Sequence, residues 1–550
     1  MRKKMMTVVC SVLAAIFALA GTTACREQVI DTDQHLEIYV LNVGYGYEWA
    51  EELAKSFAEK DWVKEKYSEF SYKVNYNDDW DFAAERIKAG GTVNTADILF
   101  SSSLQKLYNT TRDGQPVLAD LSGLMEETVM GENVVYEDKI YPDFMKNNVN
   151  PDTGKAIAVP WGTTYNTLIY NETLFQALGF EELPVTTYEF VNVLKEVKAR
   201  TPDDTYPYSH AVIGCYNVNY WKNAYTIWWA QYQGVQGYTD FYNGVSEGKL
   251  SRDIFNQLGR LRSLQAMDEI LDGRSAYIDS SSGVYEFMEA QTNFLMGNGL
   301  FYMCGDWFDY EMRAIAPGLS ELYPYTFRAM RMPVISSIVE KLDLYEETAA
   351  YDELSDAKKA EYDAVLSALI AEIDAGKAYD ELENAGIGER DYNTVKAARS
   401  LNDFGGGILN AAVPSYATAK DLAIDFLRYF ATDEANEIYA SVTKGASTGF
   451  IYDLETEAPE VFRQISPVER DKFTVLKGED VVFLPNPDSF PLVYKGGLLP
   501  LKAIEYNSYE NVFGRTDDTR QSARDLYEYD IEYYKGSRWD LLVSMSGIQM

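Results

Sequence analysis

Histidine is almost missing from this chain: its 550 residues include two, His35 and His210. That scarcity excludes a histidine-rich metal site and removes the side chain most used for proton transfer near neutral pH. Cysteine is nearly as rare, at four, and no CxxC spacing occurs, so neither a zinc knuckle nor a dithiol redox motif is present. Positive charge is short as well: 49 Lys and Arg stand against 85 Asp and Glu, for a net charge of −36. No Lys/Arg-rich run occurs beyond the first residues, so the basic face required by DNA, RNA or an anionic membrane surface is lacking. HExxH, phosphate-loop and DxDxDG calcium patterns are all absent. What remains is 46% hydrophobic and 24% charged, the composition of a folded globular protein. A single core rarely grows past about 250–300 residues, so the length predicts two or more lobes.

The amino terminus reads as an address. Arg2, Lys3 and Lys4 precede an almost wholly apolar run of 14 residues, Thr7 to Ala20. That run is short for a membrane-spanning helix, which needs about 20 residues, and fits a secretory signal over 1–24. No later stretch reaches 18 uncharged apolar residues. The exit, Ala20-Gly21-Thr22-Thr23-Ala24-Cys25, resembles a bacterial lipoprotein box, with Thr22 where Leu is usual. The resemblance implies lipidation of Cys25 as the first mature residue; the alternative is ordinary cleavage after Ala20 or Ala24. Removal of the signal leaves 46 basic residues against 85 acids, a net of −39. Cys215 and Cys304 then stand either as one disulfide or as two buried thiols.

Along the mature chain, residues 25–35 form a polar tether. Leu36–Leu41 alternates as a strand and is broken by Gly44-Tyr45-Gly46-Tyr47. Trp49, Leu53, Ala54 and Phe57 follow at helical spacing. Ser71–Tyr76 is a second strand, Asp81–Ala89 a helix ended by Gly90-Gly91, and Ala96–Phe100 a third strand before Ser101-Ser102-Ser103. This alternation predicts α/β architecture with a mainly parallel sheet, whose ligands sit beyond the carboxyl ends of the strands. The loops 44–47, 77–80 and 101–103 are therefore expected to line one site.

Further on, Gly154–Pro160 and Tyr165–Phe175 resemble the "GK-x-YAVP … YN-x-x-LF" segment of family 1 extracellular solute-binding proteins, the maltose-binding-protein-like receptors of ABC importers. Leu183–Phe190 is similar to the family's "P-x-T-W-x-E" helix start, with Tyr188 for Trp. Phe294–Trp307 resembles its "F-x-x-G-x-x-A-M-x-x-G-x-W" strand. Phe404–Gly407 with Ala423–Glu434 is similar to its late "GG … A-x-x-F-L-x-F-x-T-x-E" segment. The order holds over about residues 36–450.

The resemblance implies a two-lobed, periplasmic-binding-protein-like fold of type II, with a ligand cleft between lobes joined by hinge crossings. Crossings are expected near Thr163–Tyr165, Met332–Pro333 and Thr418–Lys420. Lobe 1 is then 36–163 plus 333–418, and lobe 2 is 164–332 plus 419–550. Residues 339–400 depart from the family pattern. They carry sixteen acids and seven bases, with Leu354, Ala357, Ala360, Val365, Leu369 and Ile373 in helical spacing, and read as a solvated helical insertion in lobe 1.

A sugar presents flat C–H faces and a ring of hydroxyls, so its receptor needs aromatic platforms with amide, carboxylate or hydroxyl partners. The chain holds 42 Tyr and 9 Trp, and position must choose among them. Trp307, beside Asp306, stands where the family often places a sugar-stacking Trp. Trp161 and Tyr165 flank the first crossing. Trp228 and Trp229 are adjacent on a helix and point about 100° apart, so only one of them can face the cleft. Tyr45, Tyr47, Asp79, Trp80 and Ser102 lie in the three strand-end loops. Asp79 or Asp306 accepts ligand hydroxyls, whereas Asp78 or Asp81 caps the following helix. Gly406, within Gly405–Gly407, either lets backbone approach the ligand or forms a turn.

These readings imply an extracellular, lipid-anchored receptor. It captures a carbohydrate, an oligosaccharide by preference, and passes it to an ABC permease, as a monomer without cofactor or metal. The alternatives are the same receptor for a peptide or polyamine, and a secreted glycosidase, which needs a carboxylate pair at fixed spacing.

Overall fold

A computed structural model describes residues 32–548 except 103, 147, 216–219, 383–386, 404–408, 474–480 and 506–508. The signal, Cys25, most of the tether and Gly406 lie outside the described residues. The principal strands are β1 (His35–Leu41), β2 (Ser71–Asn77), β3 (Ile98–Ser102), β4 (Val159–Gly162), β5 (Asn166–Asn171), β6 (Val212–Ile213), β7 (Phe301–Gly305), β8 (Phe327–Met330) and β9 (Leu409–Ala412). They form two main sheets, ordered β2-β1-β3-β9-β4 and β8-β5-β7-β6.

In the first sheet, β1 pairs in parallel with β2 and β3, while β9 runs antiparallel to β3 and β4. Leu36, Ile38 and Val40 share one fully buried face of β1, as their alternation requires. Helix α1 (Glu48–Ala58) buries Trp49, Leu53 and Phe57 against this sheet. Trp49 packs against Phe100, Trp161 and Tyr439 with ring centroids 5.0–5.3 Å apart. Asp97 ties the body together: its carboxylate accepts from the backbone amides of Glu37 and Ala419 at 3.0 and 2.9 Å.

Helix α2 spans Phe82–Ala89. The second body is built on α3 (Trp221–Gln233) and α4 (Leu258–Leu271), with α5 (Phe287–Leu295) and α6 (Phe308–Met312) flanking β7. Its sheet is mixed: β7 is antiparallel to β5 and parallel to β6. After β8 the chain continues into α7 (Asp356–Asp374) and α8 (Glu389–Arg399). α9 (Lys420–Phe430), α10 (Asp433–Thr443), α11 (Pro467–Asp471), α12 (Ala523–Tyr533) and α13 (Ser537–Ser546) complete the set.

One crossing, 163–165, joins β4 to β5 where the family pattern implies it. The others do not fall where they were expected. Residues 334–402 stay with the second body, because Ile338, Val339, Tyr362, Leu366, Ile370 and Val395 share a core with Trp228. The insertion is helical, but it does not sit on lobe 1, and several of its acids are docking groups. Arg262 of α4 donates to both oxygens of Glu340 at 2.9 and 2.6 Å and to Asp352 at 2.6 Å. Asp374 and Asp391 instead brace the insertion internally, accepting from Arg399 and from the Asp343 amide. Val365, an expected apolar position, is exposed, and Tyr362 and Leu366 form the buried stripe. The return to the first sheet therefore falls between Asn402 and β9.

Residues 419–443, expected in lobe 2, belong to the first body: Leu422, Phe426 and Phe430 pack with Ile38 and Trp49. The chain rejoins the second body through α11, which packs on β8. Arg328 of β8 forks onto Asp471 at 2.6 and 2.7 Å there. Helices α12 and α13 close the second body, where Arg260 and Asp530 form a fully buried ion pair at 2.7 Å. Among the described residues, no helix is long and apolar enough to cross a membrane.

Candidate functional site

Tight loops follow β1 and β2 in the first body, and α6 follows β7 in the second. Between them opens a cavity of about 830 Å³. The first body contributes Asn42, Gly44 and Tyr45 after β1, then Asp78 and Trp80 after β2. The second contributes Tyr220, Lys222 and Asn223 at the start of α3, Phe287 and Met288 of α5, and Trp307, Tyr310, Glu311 and Arg313 around α6. The cavity therefore lies beyond the carboxyl ends of the β1 and β2 strands, as the α/β rule requires.

Gly44 makes the approach of the two bodies possible, and Gly305 makes room for the indole within the second. A Cβ on Gly44 would lie 2.3 Å from the Trp307 Cβ, and one on Gly305 would lie 2.1 Å from the indole. Trp307 is consequently 8% exposed, wedged between two glycines, with Tyr220 edge-on at 5.7 Å. Trp80 is the open platform at 46% exposure. Its neighbour Asp78 faces the cavity and accepts from the Asn42 side-chain amide at 2.7 Å.

Glu311 is the unusual charge in this lining. One oxygen accepts from the Gln291 side-chain amide at 2.6 Å. Burial drives its carboxyl up to about 7, with the Gln291 hydrogen bond pulling the other way. The charged groups lining the cavity balance in formal count: Asp78 and Glu311 against Lys222 and Arg313.

The structure sorts the sequence-predicted residues into distinct groups. Tyr45, Trp80 and Trp307 line the cavity. Asp306 is buried behind it, accepting from the Tyr45 hydroxyl at 2.6 Å and the Tyr165 amide at 3.2 Å. Tyr47 turns away and stacks on Tyr76 at 3.9 Å. Asp79 exchanges roles with Asp78: its carboxylate accepts from the Asp81 amide at the start of α2, so Asp79 rather than Asp78 shapes the turn. Trp161 is core, its indole N–H donating to the Ser101 carbonyl at 2.7 Å. Tyr165 is buried against Phe483, and Ser102 is buried within β3.

Trp228 and Trp229 both face the second body's core rather than one facing the cleft. Their indoles donate to the Pro333 carbonyl at 3.0 Å and to Gln257 at 2.9 Å. α3 is buried on nearly all sides, so the 100° divergence brings neither ring to a surface. Cys215 and Cys304 are free buried thiols, raised by desolvation, and the Cys215 sulfur accepts from Tyr302 at 3.5 Å.

Sequence reasoning missed Asn42, Tyr220, Asn223, Phe287, Tyr310, Glu311 and Arg313. A signal existed for some of these: Tyr310 and Glu311 lie three and four residues beyond Trp307, on one helical face. Tyr220 and Asn223 enter the site only because α3 starts there, and nothing in the local sequence marks that turn as cleft-facing.

The architecture resembles solved solute-binding proteins. A maltose-bound MalE3 from T. maritima matches with a TM-score of 0.56 at 12% identity, over 91% of this chain and all of that one. A protein described with xylan utilization by the thermophilic bacterium Caldanaerobius polysaccharolyticus matches at 0.55 and 14%, over 91% and 100%. The solute-binding protein RafE in complex with raffinose matches at 0.51 and 13%, over 91% and 100%. No protein-family profile matches the sequence, and neither does any curated protein. At such identities the likeness establishes the fold: two α/β bodies with a cleft between them, the periplasmic-binding-protein architecture of extracellular solute-binding proteins.

Proposed function

We propose that this chain is an extracellular solute-binding receptor that captures an oligosaccharide between its two bodies and hands it, without turnover, to an ABC permease. The observation that carries this reading is the composition of the cleft. Apolar ring faces from Trp80, Tyr220, Phe287 and Trp307 stand beside Asn42, Asn223 and Asp78. That mixture suits sugar faces and sugar hydroxyls. The lining holds no more acids than bases, so it lacks the excess of acids that a polyamine requires. The solved proteins of this fold that hold maltose and raffinose support the same class.

A thermal-shift screen with maltotriose, raffinose, xylotriose, a tripeptide and spermidine tests the proposal. A ligand at 100 times its Kd adds about 2.7 kcal/mol to stability. A shift with spermidine or the peptide and none with any saccharide overturns the sugar reading. Release of reducing ends from a bound glycan overturns the receptor reading in favour of hydrolysis.

Lipid attachment at Cys25 belongs to the same proposal, as the anchor that holds the receptor beside its permease. Expression of the full chain with Cys25→Ser tests it: the protein leaves the membrane fraction if Cys25 carries the lipid and stays if it does not. The receptor acts as a monomer in this reading, since one chain supplies both sides of the cleft.

A further inference from the structure

The rim of the cavity holds a contact that ties the two bodies to each other rather than to a ligand. Glu48, the first residue of α1, belongs to the first body. Its Oε2 accepts from the Tyr310 hydroxyl at 2.6 Å and from the Tyr47 amide at 3.0 Å. Its Oε1 lies 3.5 Å from an Arg313 guanidinium nitrogen. The Arg313 guanidinium lies over the Tyr310 ring, 3.5 Å from its centroid, and donates to the Tyr310 carbonyl at 2.8 Å. Gly46, at φ +69°, admits the hydroxyl, because a Cβ there would lie 1.8 Å from it. Tyr310 and Arg313 line the cavity, and Glu48 does not.

We infer that Glu48 is a positioning residue for the ligand cleft: reaching from the first body, it holds Tyr310 and Arg313 of the second over the cavity and so sets how readily the cleft closes on any ligand. The inference deepens the receptor reading and rests on it. Three features support it. The hydrogen bond is charge-assisted and lies on the inter-body path. Glu48 is held below the usual carboxylate range, with the Tyr310, backbone and Arg313 contacts outweighing its desolvation. The partners it holds are themselves cavity walls.

A contact made only when the bodies approach adds to the closed population before any ligand arrives. The apparent Kd scales inversely with that population. Loss of the contact therefore raises Kd by one factor for every ligand that needs closure, whatever its chemistry. Loss of a direct ligand contact raises Kd by different factors for different ligands.

Glu48→Gln and Tyr310→Phe, singly and together, provide the test, with the two tightest-binding saccharides of the screen as probes. Glu48→Gln is expected to raise both Kd values by the same factor, roughly tenfold. The double variant is expected to fall no further than the more affected single one, because both remove one shared interaction. Small-angle scattering of the ligand-free variants should give a larger radius of gyration than the parent, and the saturated proteins should coincide. Unequal factors for the two sugars, additive losses, or unchanged scattering of the free protein would each overturn the inference while leaving the receptor reading standing. If no saccharide binds the parent, the sugar reading falls. Scattering then still decides whether Glu48 holds the bodies together.

Discussion

Tyr45 of the first body places its hydroxyl 2.6 Å from Asp306 Oδ1 of the second and 2.8 Å from the Thr163 carbonyl oxygen. One proton is thus shared by two acceptors, one just past β7 of the second sheet and one in the crossing itself. Burial, then the Asp306 carboxylate, raises the Tyr45 hydroxyl well above its usual range, so it stays a donor at every physiological pH. Tyr45→Phe removes a hydrogen bond to a buried carboxylate and is expected to cost about 1–3 kcal/mol. Urea denaturation measures it; a loss below about 0.5 kcal/mol would show that the hydroxyl contributes nothing at this junction.

Trp80 and Trp228 should separate ligand contact from core. Trp80→Ala at an open cavity wall is expected to weaken saccharide binding about tenfold or more, with stability within about 0.5 kcal/mol of the parent. Trp228→Ala, fully buried with its N–H bonded to the Pro333 carbonyl, is expected to cost about 3–5 kcal/mol. Calorimetric titration and chemical unfolding on both variants check the contrast.

Stability should decline as pH rises from mildly acidic to neutral. Desolvation raises Asp363, in α7, from 3.8 to about 7, against a lowering contribution from the Ser336 hydroxyl. Between these values the folded state holds a proton that the unfolded state has released, so the slope of unfolding free energy with pH is negative. The contribution is fully present below about pH 4 and is lost as pH approaches 7. Glu311, raised to about 7, acts in the same sense. Asp363→Asn is expected to flatten the profile by up to about 1.4 kcal/mol per pH unit. Denaturation midpoints across this range decide it, and a wild-type profile that climbs with pH refutes the assignment.

Arg262 should control the docking of the insertion. It is almost fully buried and holds Glu340 and Asp352 together. Arg262→Ala leaves the Glu340 carboxylate, 10% exposed, with the Tyr232 hydroxyl and Tyr351 amide but without its cationic partner, and is expected to cost about 3–5 kcal/mol. Hydrogen exchange should accelerate first in residues 343–374, with saccharide affinity changed less than twofold. Uniform acceleration over the whole chain would show that the insertion is not a separately opening unit.

Much of the fold was legible because its signals are local. The alternation of Leu36, Ile38 and Val40, the helical spacing of Trp49, Leu53 and Phe57, and the glycines after β1 each act within a few residues. The crossing at 163–165 was legible for the same reason, lying between two recognisable strands. The body that carries residues 334–402 was not, because an amphipathic helix specifies that it buries a face without specifying against what. Here the Arg262 fork and the apolar surface around Trp228 decide, and both lie far away in sequence.

The site divides along the same line. The sequence by itself determined an α/β chain with little histidine, no basic face and aromatic residues at its strand ends. The tertiary structure alone decided which aromatics face the cleft. Trp80 and Trp307 do, while Trp161, Trp228 and Trp229 are core, because burial depends on what the opposite body brings into contact. It also exchanged Asp79 for Asp78, one residue apart, since the direction of a side chain in a turn is set by the turn's own hydrogen bonds. The pairing of Tyr45 with Asp306 and of Glu48 with Tyr310 spans more than 250 residues of chain. No local pattern encodes either pair; they meet only where two separately built bodies close on each other.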